Sequence, residues 1–280
     1  MKEILLIRFL YQTAVGRCVL KIVVQPWVSR KAGAFLNSKF SKWLVPIFVR
    51  KHRINLAEYE KKKYCSFNDF FTRKRNSDCI DITPDHLISP CDGYLSVYPI
   101  DETRTYRIKN IEYHLEQLLD SKILAQRFSG GYCMIFRLTP KNYHRYCYVC
   151  EGNRKRTRKI EGKLHCVRPL AYTSVPVFIE NSREYTEIQS DIWGCVIQME
   201  IGALLVGKIH NHLCDICEKN IQQGLEKGYF EFGGSTILVL VEKDKINIEK
   251  KILERSMKNQ ETVIRMGAKV GVSQKKEGCE

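Results

Sequence analysis

The clearest hydrophobic pattern of the chain lies near its C-terminus, in "YFEFGGSTILVLVE" (229–242). The unbroken apolar run "ILVLV" predicts a strand that is buried on both faces. Two glycines stand just before this run and before Ser235, although glycine loses more backbone entropy on ordering than any other residue. The simplest interpretation is a β-bulge followed by a polar strand residue. The alternative is that the hydroxyl needs an unusual backbone in front of it.

From about residue 85 onward, short β-type runs follow one another and turn signals separate them. One stretch between them, "NIEYHLEQLL" (110–119), predicts a helix. This alternation predicts an α+β fold, with a mostly antiparallel β core and helices at one end. The predicted strands include "YLSVYPI", "YCMIFRL", "HRYCYVC", "KLHCVRPLA", "SVPVFIE" and "REYTEIQS".

Residues 1–62 are predicted to be helical, with an apolar face interrupted by Arg8, Arg17 and Lys21. A membrane span needs about 20 nearly uncharged residues, so we reject a transmembrane helix. The mixture of apolar and basic residues is typical of helices that lie in a membrane interface, or of helices packed on a core with their charges in water. We therefore divide the chain into an N-terminal helical, membrane-interface region (1–62) and a β-rich catalytic domain (63–280).

The charge of the chain limits its partners. Its 280 residues carry a net charge of +15, which favours nucleic acid or an anionic membrane surface. No nucleic-acid recognition motif accompanies the charge, so we predict no nucleic-acid partner. The basic run "EGNRKRTRK" (151–159) is interpreted as a hairpin loop that either faces water or contacts anionic head groups.

The 12 cysteines include two pairs with CxxC spacing, Cys147/Cys150 and Cys214/Cys217. Four such thiols could bind zinc, and a thiol-redox role is a related alternative. The pairs are far apart in the sequence, and "YCYVC" alternates like a strand. We therefore expect reduced, mostly buried thiols and no metal site.

A serine that follows glycine can attack the carbonyl of its own preceding peptide bond. The attack needs a freely rotating backbone, a base for the hydroxyl and donors for the oxyanion. The amide becomes an ester, elimination breaks the chain, and hydrolysis of the resulting dehydroalanine leaves a pyruvoyl group and ammonia. Such a carbonyl is an electron sink comparable to pyridoxal phosphate.

Several segments, taken together and in order, resemble the phosphatidylserine decarboxylases, and in particular a compact bacterial branch with the sequence YHRYCY. "FEFGGSTILVLVEKDKI" resembles the processing site of that family. The resemblance covers essentially the whole chain. The other matching segments are "FNDFFTRK" (67–74), "ISPCDGYL" (88–95), "YRIKNIEYHLEQLL" (106–119), "LTPKNYHRYCYVCEG" (138–152), "NSREY" (181–185), "MEIGALLVGKI" (199–209) and "GLEKGYFEFGGST" (224–236).

The resemblance implies a carboxy-lyase made as a proenzyme. Autocatalytic cleavage between Gly234 and Ser235 would give a β chain (1–234) and an α chain (235–280) that remain associated, and Ser235 would become the covalent pyruvoyl cofactor. This group would condense with the amine of phosphatidylserine, release CO2 and yield phosphatidylethanolamine. The expected location is the cytoplasmic side of the cell membrane, as a peripheral protein. The sequence leaves the oligomeric state open.

The resemblance also implies roles for individual residues. Asp92 matches the carboxylate that orients the base for self-cleavage, and His144 matches a histidine of the decarboxylation step. Many members have a second histidine in the YHRxH box where this chain has Cys147, and a thiol is a poor replacement for it. Either His144 serves both steps, or His165 moves beside Cys147 through a hairpin formed by residues 151–162; the absence of any relay is a third alternative.

Two further functions stay open at this stage. Cys147 alone favours a lipid-binding homologue that has lost self-processing. A decarboxylase of another amine-bearing substrate would share the pyruvoyl chemistry. The basic surface and apolar N-terminal helices favour a lipid.

Overall fold

Helices make up most of the N-terminal part of the chain. The computed structural model describes residues 2–108, 111–171, 174–204, 208–212, 220–233 and 235–274. Short 3₁₀ turns at Lys39–Ser41 and Leu56–Glu58 connect the early helices. The helices are α1 (Lys2–Gln12), α2 (Ala14–Val23), α3 (Pro26–Asn37), α4 (Leu44–His52), α5 (Phe67–Phe71), α6 (Leu115–Leu119), α7 (Lys122–Gln126), α8 (Val177–Glu180) and α9 (Lys250–Met257).

Antiparallel strands form the rest of the fold. They are β1 (His86–Ile88), β2 (Gly93–Pro99), β3 (Thr105–Ile108), β4 (Ile111–His114), β5 (Tyr132–Leu138), β6 (Arg145–Cys147), β7 (Gly152–Ile160), β8 (Arg183–Ser190), β9 (Gly194–Ile201), β10 (Ile209–Asn211), β11 (Asn220–Ile221), β12 (Glu226–Phe230), β13 (Ser235–Val241), β14 (Ile246–Ile248), β15 (Thr262–Ile264) and β16 (Lys269–Ser273). The main sheet has eight strands in the order β11-β7-β8-β9-β13-β5-β2-β15. Smaller sheets have the orders β10-β12-β6 and β1-β16-β14, and β3 pairs with β4.

Strand β13 is a central strand of the main sheet, paired with β5 on one side and β9 on the other. All seven of its residues are buried. Leu238 and Leu240 pack in one hydrophobic cluster, whereas Ile237, Val239 and Val241 pack in a second. Because side chains alternate along a strand, the apolar run covers both faces of the sheet, as the sequence predicts.

The N-terminal helices contact the β-rich part of the chain through specific bonds. The Tyr11 hydroxyl accepts a hydrogen bond from the backbone N–H of Cys166 at 2.9 Å. The carbonyl of Val24 accepts the N–H of Leu164 at 2.9 Å. Within the described part of the chain, no helix has the length and apolar character needed to cross a membrane.

The predicted α+β class is confirmed, but four local predictions are wrong. The stretch "KLHCVRPLA" (163–171) forms no strand; it makes only an isolated bridge between Lys163 and Asn181. The stretch "SVPVFIE" contains the helix α8, which starts directly after Pro176, a residue whose fixed φ is compatible with a helix start. "NIEYHLEQLL" is a helix only from Leu115 onward, because its first part alternates between exposed and buried positions and forms β4. The basic run at 151–159 is not a hairpin loop: β7 pairs with β8 and β11.

Candidate active site

Ser235 is the first residue of β13 and its side chain is fully buried. It lies opposite Leu138, the last residue of β5. Gly233 just before it has φ of 149°, in a region that side-chain-bearing residues rarely adopt. Gly234, the other residue of the predicted cleavage site, lies outside the described residues. At Gly233 the glycine is therefore needed for the backbone that leads into the serine.

His144 is the described side chain that contacts the Ser235 hydroxyl. Its Nδ1 lies 3.4 Å from Ser235 Oγ, and its Nε2 lies 3.1 Å from the carbonyl oxygen of Thr139. A carbonyl only accepts hydrogen bonds, so Nε2 carries the ring proton and Nδ1 presents a lone pair to the hydroxyl. This tautomer is the one that a base for Ser235 requires.

The surroundings of His144 keep its ring neutral. The pKa of His144 is lowered from 6.5 to about 3, mainly because the ring is buried; the bond to Thr139 opposes this shift and the nearby Arg73 charge adds to it. The Phe71 ring packs against the imidazole with its centroid 4.2 Å away. An imidazole with this pKa is uncharged at neutral pH, so one of its ring nitrogens keeps an unprotonated lone pair.

Strands β6 and β12 bring the histidine and the glycine loop together. The two strands pair antiparallel, with Gly228 opposite Tyr146 and Tyr229 opposite Arg145. The backbone N–H of Phe230 donates to the carbonyl of His144 at 3.0 Å. Because β12 leads directly into the loop before Ser235, this pairing sets both the base and the hydroxyl in register.

Asp92 is nearly buried, and its contacts are not with a histidine. The Arg75 guanidinium forms an ion pair with this carboxylate, and the backbone N–H of Met266 donates to Asp92 Oδ1 at 3.0 Å. The same guanidinium lies over the Tyr143 ring, 4.4 Å from its centroid. Among the described contacts, Asp92 thus reaches the histidine segment through Arg75 and Tyr143.

Comparison with known proteins finds relatives over almost the whole chain. The family model for phosphatidylserine decarboxylase matches residues 67–272. The chain is 43% identical to phosphatidylserine decarboxylase proenzyme 2 of Clostridium acetobutylicum, covering 95% of this chain and 91% of that protein. It is 38% identical to a phosphatidylserine decarboxylase proenzyme of Clostridium novyi (95% and 92% covered) and 37% identical to one of Ruminiclostridium cellulolyticum (95% and 90%).

The chain belongs to the phosphatidylserine decarboxylase family. The proenzyme names of these relatives agree with the resemblance seen in the sequence, whose quoted segments all lie within the matched residues.

Cys147, which stands where many decarboxylases of this family are expected to have a second histidine, is 1% exposed. Burial raises the pKa of the Cys147 thiol to about 12, so it is neutral at physiological pH. Its Sγ lies 3.8 Å from the carbonyl oxygen of Ser89, a weak thiol donor contact. The other cysteine of this CxxC pair, Cys150, is also buried, while Cys214 and Cys217 lie outside the described residues.

His165 has different neighbours from those expected for a relay in this decarboxylase family. Its Nδ1 lies 3.4 Å from the Tyr11 hydroxyl, and its Nε2 lies 3.4 Å from Glu180 Oε2. Burial is the main cause that lowers the pKa of His165. The hairpin that would bring it beside Cys147 is not formed, because residues 152–160 pair with β8 and β11 instead. The described contacts bring His144 to Ser235, and those of His165 do not include Ser235 or Cys147.

Four residues around the site were not singled out by the sequence. Asn68 and Phe71 belong to "FNDFFTRK", which carried a family resemblance but no residue-level role. Thr139 acts through its backbone, and Arg75 lies just outside that segment. An asparagine beside three phenylalanines is the one signal in the sequence that could have drawn attention to Asn68.

Proposed function

We propose that this chain cleaves itself before Ser235 and then decarboxylates phosphatidylserine to phosphatidylethanolamine and CO2. The observation that carries the proposal is the 3.4 Å contact between Ser235 Oγ and the proton-free Nδ1 of His144, at the end of a glycine loop. The family membership and the names of the relatives give the substrate class. A buried hydroxyl with a neutral imidazole as partner fits the conversion of Ser235 to a pyruvoyl group.

The first step of self-cleavage is an acyl shift. His144 takes the proton of Ser235 Oγ, and the oxygen forms a bond to the carbonyl carbon of Gly234. The bond from that carbon to the nitrogen of Ser235 breaks, and the nitrogen receives the proton from His144. The product is an ester with a free amine at Ser235, and no atom is gained or lost.

The second step is elimination. A base removes the Cα proton of Ser235, a double bond forms between Cα and Cβ, and the bond between Cβ and Oγ breaks, so that Oγ leaves with the electron pair as part of the Gly234 carboxylate. The dehydroalanine that remains on the smaller chain rearranges to an imine. Water then replaces its nitrogen, which leaves as ammonia, and the smaller chain begins with a pyruvoyl group.

The pyruvoyl carbonyl supplies an electron sink for the pair released as CO2 leaves the substrate. Because His144 contacts Ser235, it can hold a proton near the reacting group both in self-cleavage and in decarboxylation. Its low pKa makes it a ready donor once it has been protonated. The aromatic side chains around it exclude water, which would compete for the proton.

We further propose that the two chains remain associated after cleavage. Strand β13 would be the first strand of the small chain, and it lies between β5 and β9 of the large one. Arg137 of the large chain and Glu261 of the small chain would form an ion pair with two hydrogen bonds, whose lengths are 2.7 and 2.5 Å. Separating the chains would require breaking a central strand out of the main sheet.

The N-terminal helices are proposed to contact an anionic membrane surface from the cytoplasmic side. Large apolar side chains face the solvent there, among them Phe40 (72% exposed), Trp43 (60%) and Ile47 (53%). Lysine and arginine residues are interspersed with them. Apolar residues inserted at head-group level and cations attracted to anionic lipids favour this binding mode, and anionic lipids concentrate in the cytoplasmic leaflet.

A vesicle assay tests the membrane contact. The double variant Phe40→Glu/Trp43→Glu should lose co-sedimentation with phosphatidylserine vesicles. Val263→Glu changes an equally exposed apolar residue outside the helical region and serves as the control. Equal binding of both variants to the vesicles would show that the N-terminal helices do not contact the membrane.

The mass of the denatured protein tests self-cleavage. Pyruvoyl formation consumes one water and releases one ammonia, so the two chains should together weigh about 1 Da more than the precursor, whereas ordinary hydrolysis would add about 18 Da. The Ser235→Ala variant should remain one chain. A single chain of 32.7 kDa from the unmodified protein, with or without added phosphatidylserine vesicles, would instead favour a lipid-binding homologue that has lost processing.

A further inference from the structure

Asn68 holds the loop that leads to Ser235. It is the second residue of α5 and is 3% exposed. Its Oδ1 accepts the backbone N–H of Phe232 at 3.1 Å. An N–H only donates, so this bond fixes the orientation of the side-chain amide: the oxygen faces Phe232 and the NH2 group faces away from it.

The NH2 group of Asn68 is buried, and no described residue accepts a hydrogen bond from it. Buried donors are nearly always paired, because an unpaired donor has lost its water and gained nothing in return. The Asn68 amide has a bonded oxygen and a buried NH2 group without a described acceptor, and stability alone does not explain this arrangement.

The position of Asn68 relates it to the reacting groups. Phe71 is three residues later on the same helix and therefore on the same face. Its ring packs against His144, the proposed base, while Asn68 binds Phe232. The scissile peptide bond lies in the chain between Phe232, which Asn68 holds, and Ser235, which His144 contacts.

The environment of Asn68 suits a developing negative charge. Phe67, Phe70 and Phe71 form a buried aromatic cluster with the half-buried Phe232. A fixed donor in such apolar surroundings stabilises an oxyanion far more than the same donor in water, because little solvent screens it.

We propose that Asn68 serves the self-cleavage step: Oδ1 positions the loop, and Nδ2 donates to the oxyanion that forms on the scissile carbonyl when Ser235 attacks. The inference rests on the self-cleavage proposed above. It assigns Asn68 to the formation of the active enzyme and not to the decarboxylation that follows.

The buried hydroxyl of Thr236 provides a contrast to the amide of Asn68. Thr236 Oγ1 also has no described partner and is next to Ser235 in sequence. Side chains alternate along β13, so Thr236 points to the opposite face of the sheet from Ser235. Thr236 therefore matches Asn68 in burial and in lacking a partner, but its direction is wrong for the reaction.

The test follows the conversion of freshly translated precursor into two chains by gel electrophoresis. Asn68→Asp keeps an oxygen for the Phe232 N–H and removes the NH2 donor. It should slow cleavage by about 100-fold or more, the loss seen when one oxyanion donor is removed. Asn68→Leu should be at least as slow, and Thr236→Val should cleave at the unmodified rate. Conversion of Asn68→Asp at the unmodified rate would overturn the proposal.

Hydroxylamine identifies the step that is slowed. It cleaves esters, so it releases the two chains from any precursor that has completed the acyl shift. If Asn68 stabilises the oxyanion, the Asn68→Asp precursor should resist hydroxylamine as well. Rapid cleavage would place Asn68 after the shift and refute the assignment. A failure of the unmodified chain to cleave would instead refute the proposed function itself.

Discussion

The buried neutral state of His144 predicts how stability depends on pH. In the folded chain the pKa of His144 is lowered from 6.5 to about 3, mainly by burial. The unfolded chain therefore binds a proton at this site more readily than the folded chain when the pH lies between these values. The stability that depends on a neutral His144 is therefore fully present above pH 6.5, and it is progressively lost as the pH falls toward 3.

The size of the effect follows from the same two pKa values. Between pH 7 and pH 4, protonation of the unfolded histidine should lower the free energy of unfolding by about 3 kcal/mol, because each pKa unit corresponds to about 1.4 kcal/mol. Other groups titrate in this range too. The contribution of His144 must therefore be isolated by comparison with a chain that lacks the imidazole.

The comparison uses two uncleaved proteins, Ser235→Ala and Ser235→Ala/His144→Gln. Urea unfolding at pH 7, 5.5 and 4 gives the free energy of unfolding of each. Between pH 7 and pH 4, the free energy of unfolding of the Ser235→Ala chain should fall by about 3 kcal/mol more than that of the double variant. Equal losses in the two chains would show that His144 is not held neutral in the folded state, and the tautomer argument for the base would fail with it.

Three further predictions concern the roles of individual groups. His144→Ala should remain uncleaved while His165→Ala cleaves at the normal rate, both judged by denatured mass; cleavage of the first would confine His144 to decarboxylation. Asp92→Asn, which leaves Arg75 paired only with Asp78, should lower the free energy of unfolding by about 2 kcal/mol in the Ser235→Ala background, and an unchanged urea midpoint would contradict this. The cleaved chains should co-elute in native gel filtration and separate only in denaturant, whereas elution of free 235–280 would show that β13 does not hold them.

The sequence was sufficient for those parts of the fold in which local pattern and final environment agree. The run at 237–241 is apolar throughout, and β13 is covered on both faces. The pattern failed where tertiary pairing decided the outcome. The basic run at 151–159 has no large apolar residue, yet it forms most of β7 because β8 pairs along nearly the whole strand and β11 pairs with residues 152 and 153.

The same distinction applies to the site. Ser235 and His144 carry recognisable chemistry, and the sequence singled out both. The tautomer of His144 depends on a backbone carbonyl of Thr139, which no side-chain pattern reveals. Asn68 lies 164 residues from Phe232 in sequence, so only the folded chain shows their contact.

We propose that the ion pair at Asp92 compensates for the second histidine that the YHR box of this chain lacks. Cys147 has no imidazole to offer and its thiol is neutral, and the described contacts of Asp92 are with Arg75 and Met266 rather than with a histidine. Arg75 supplies the counter-charge instead and lies on Tyr143, the residue before His144. A guanidinium does not release its proton under physiological conditions, so this pair can orient its neighbours but cannot relay a proton. We therefore expect proton transfer to rest on His144, with Asp92 acting through the position of the segment that carries it.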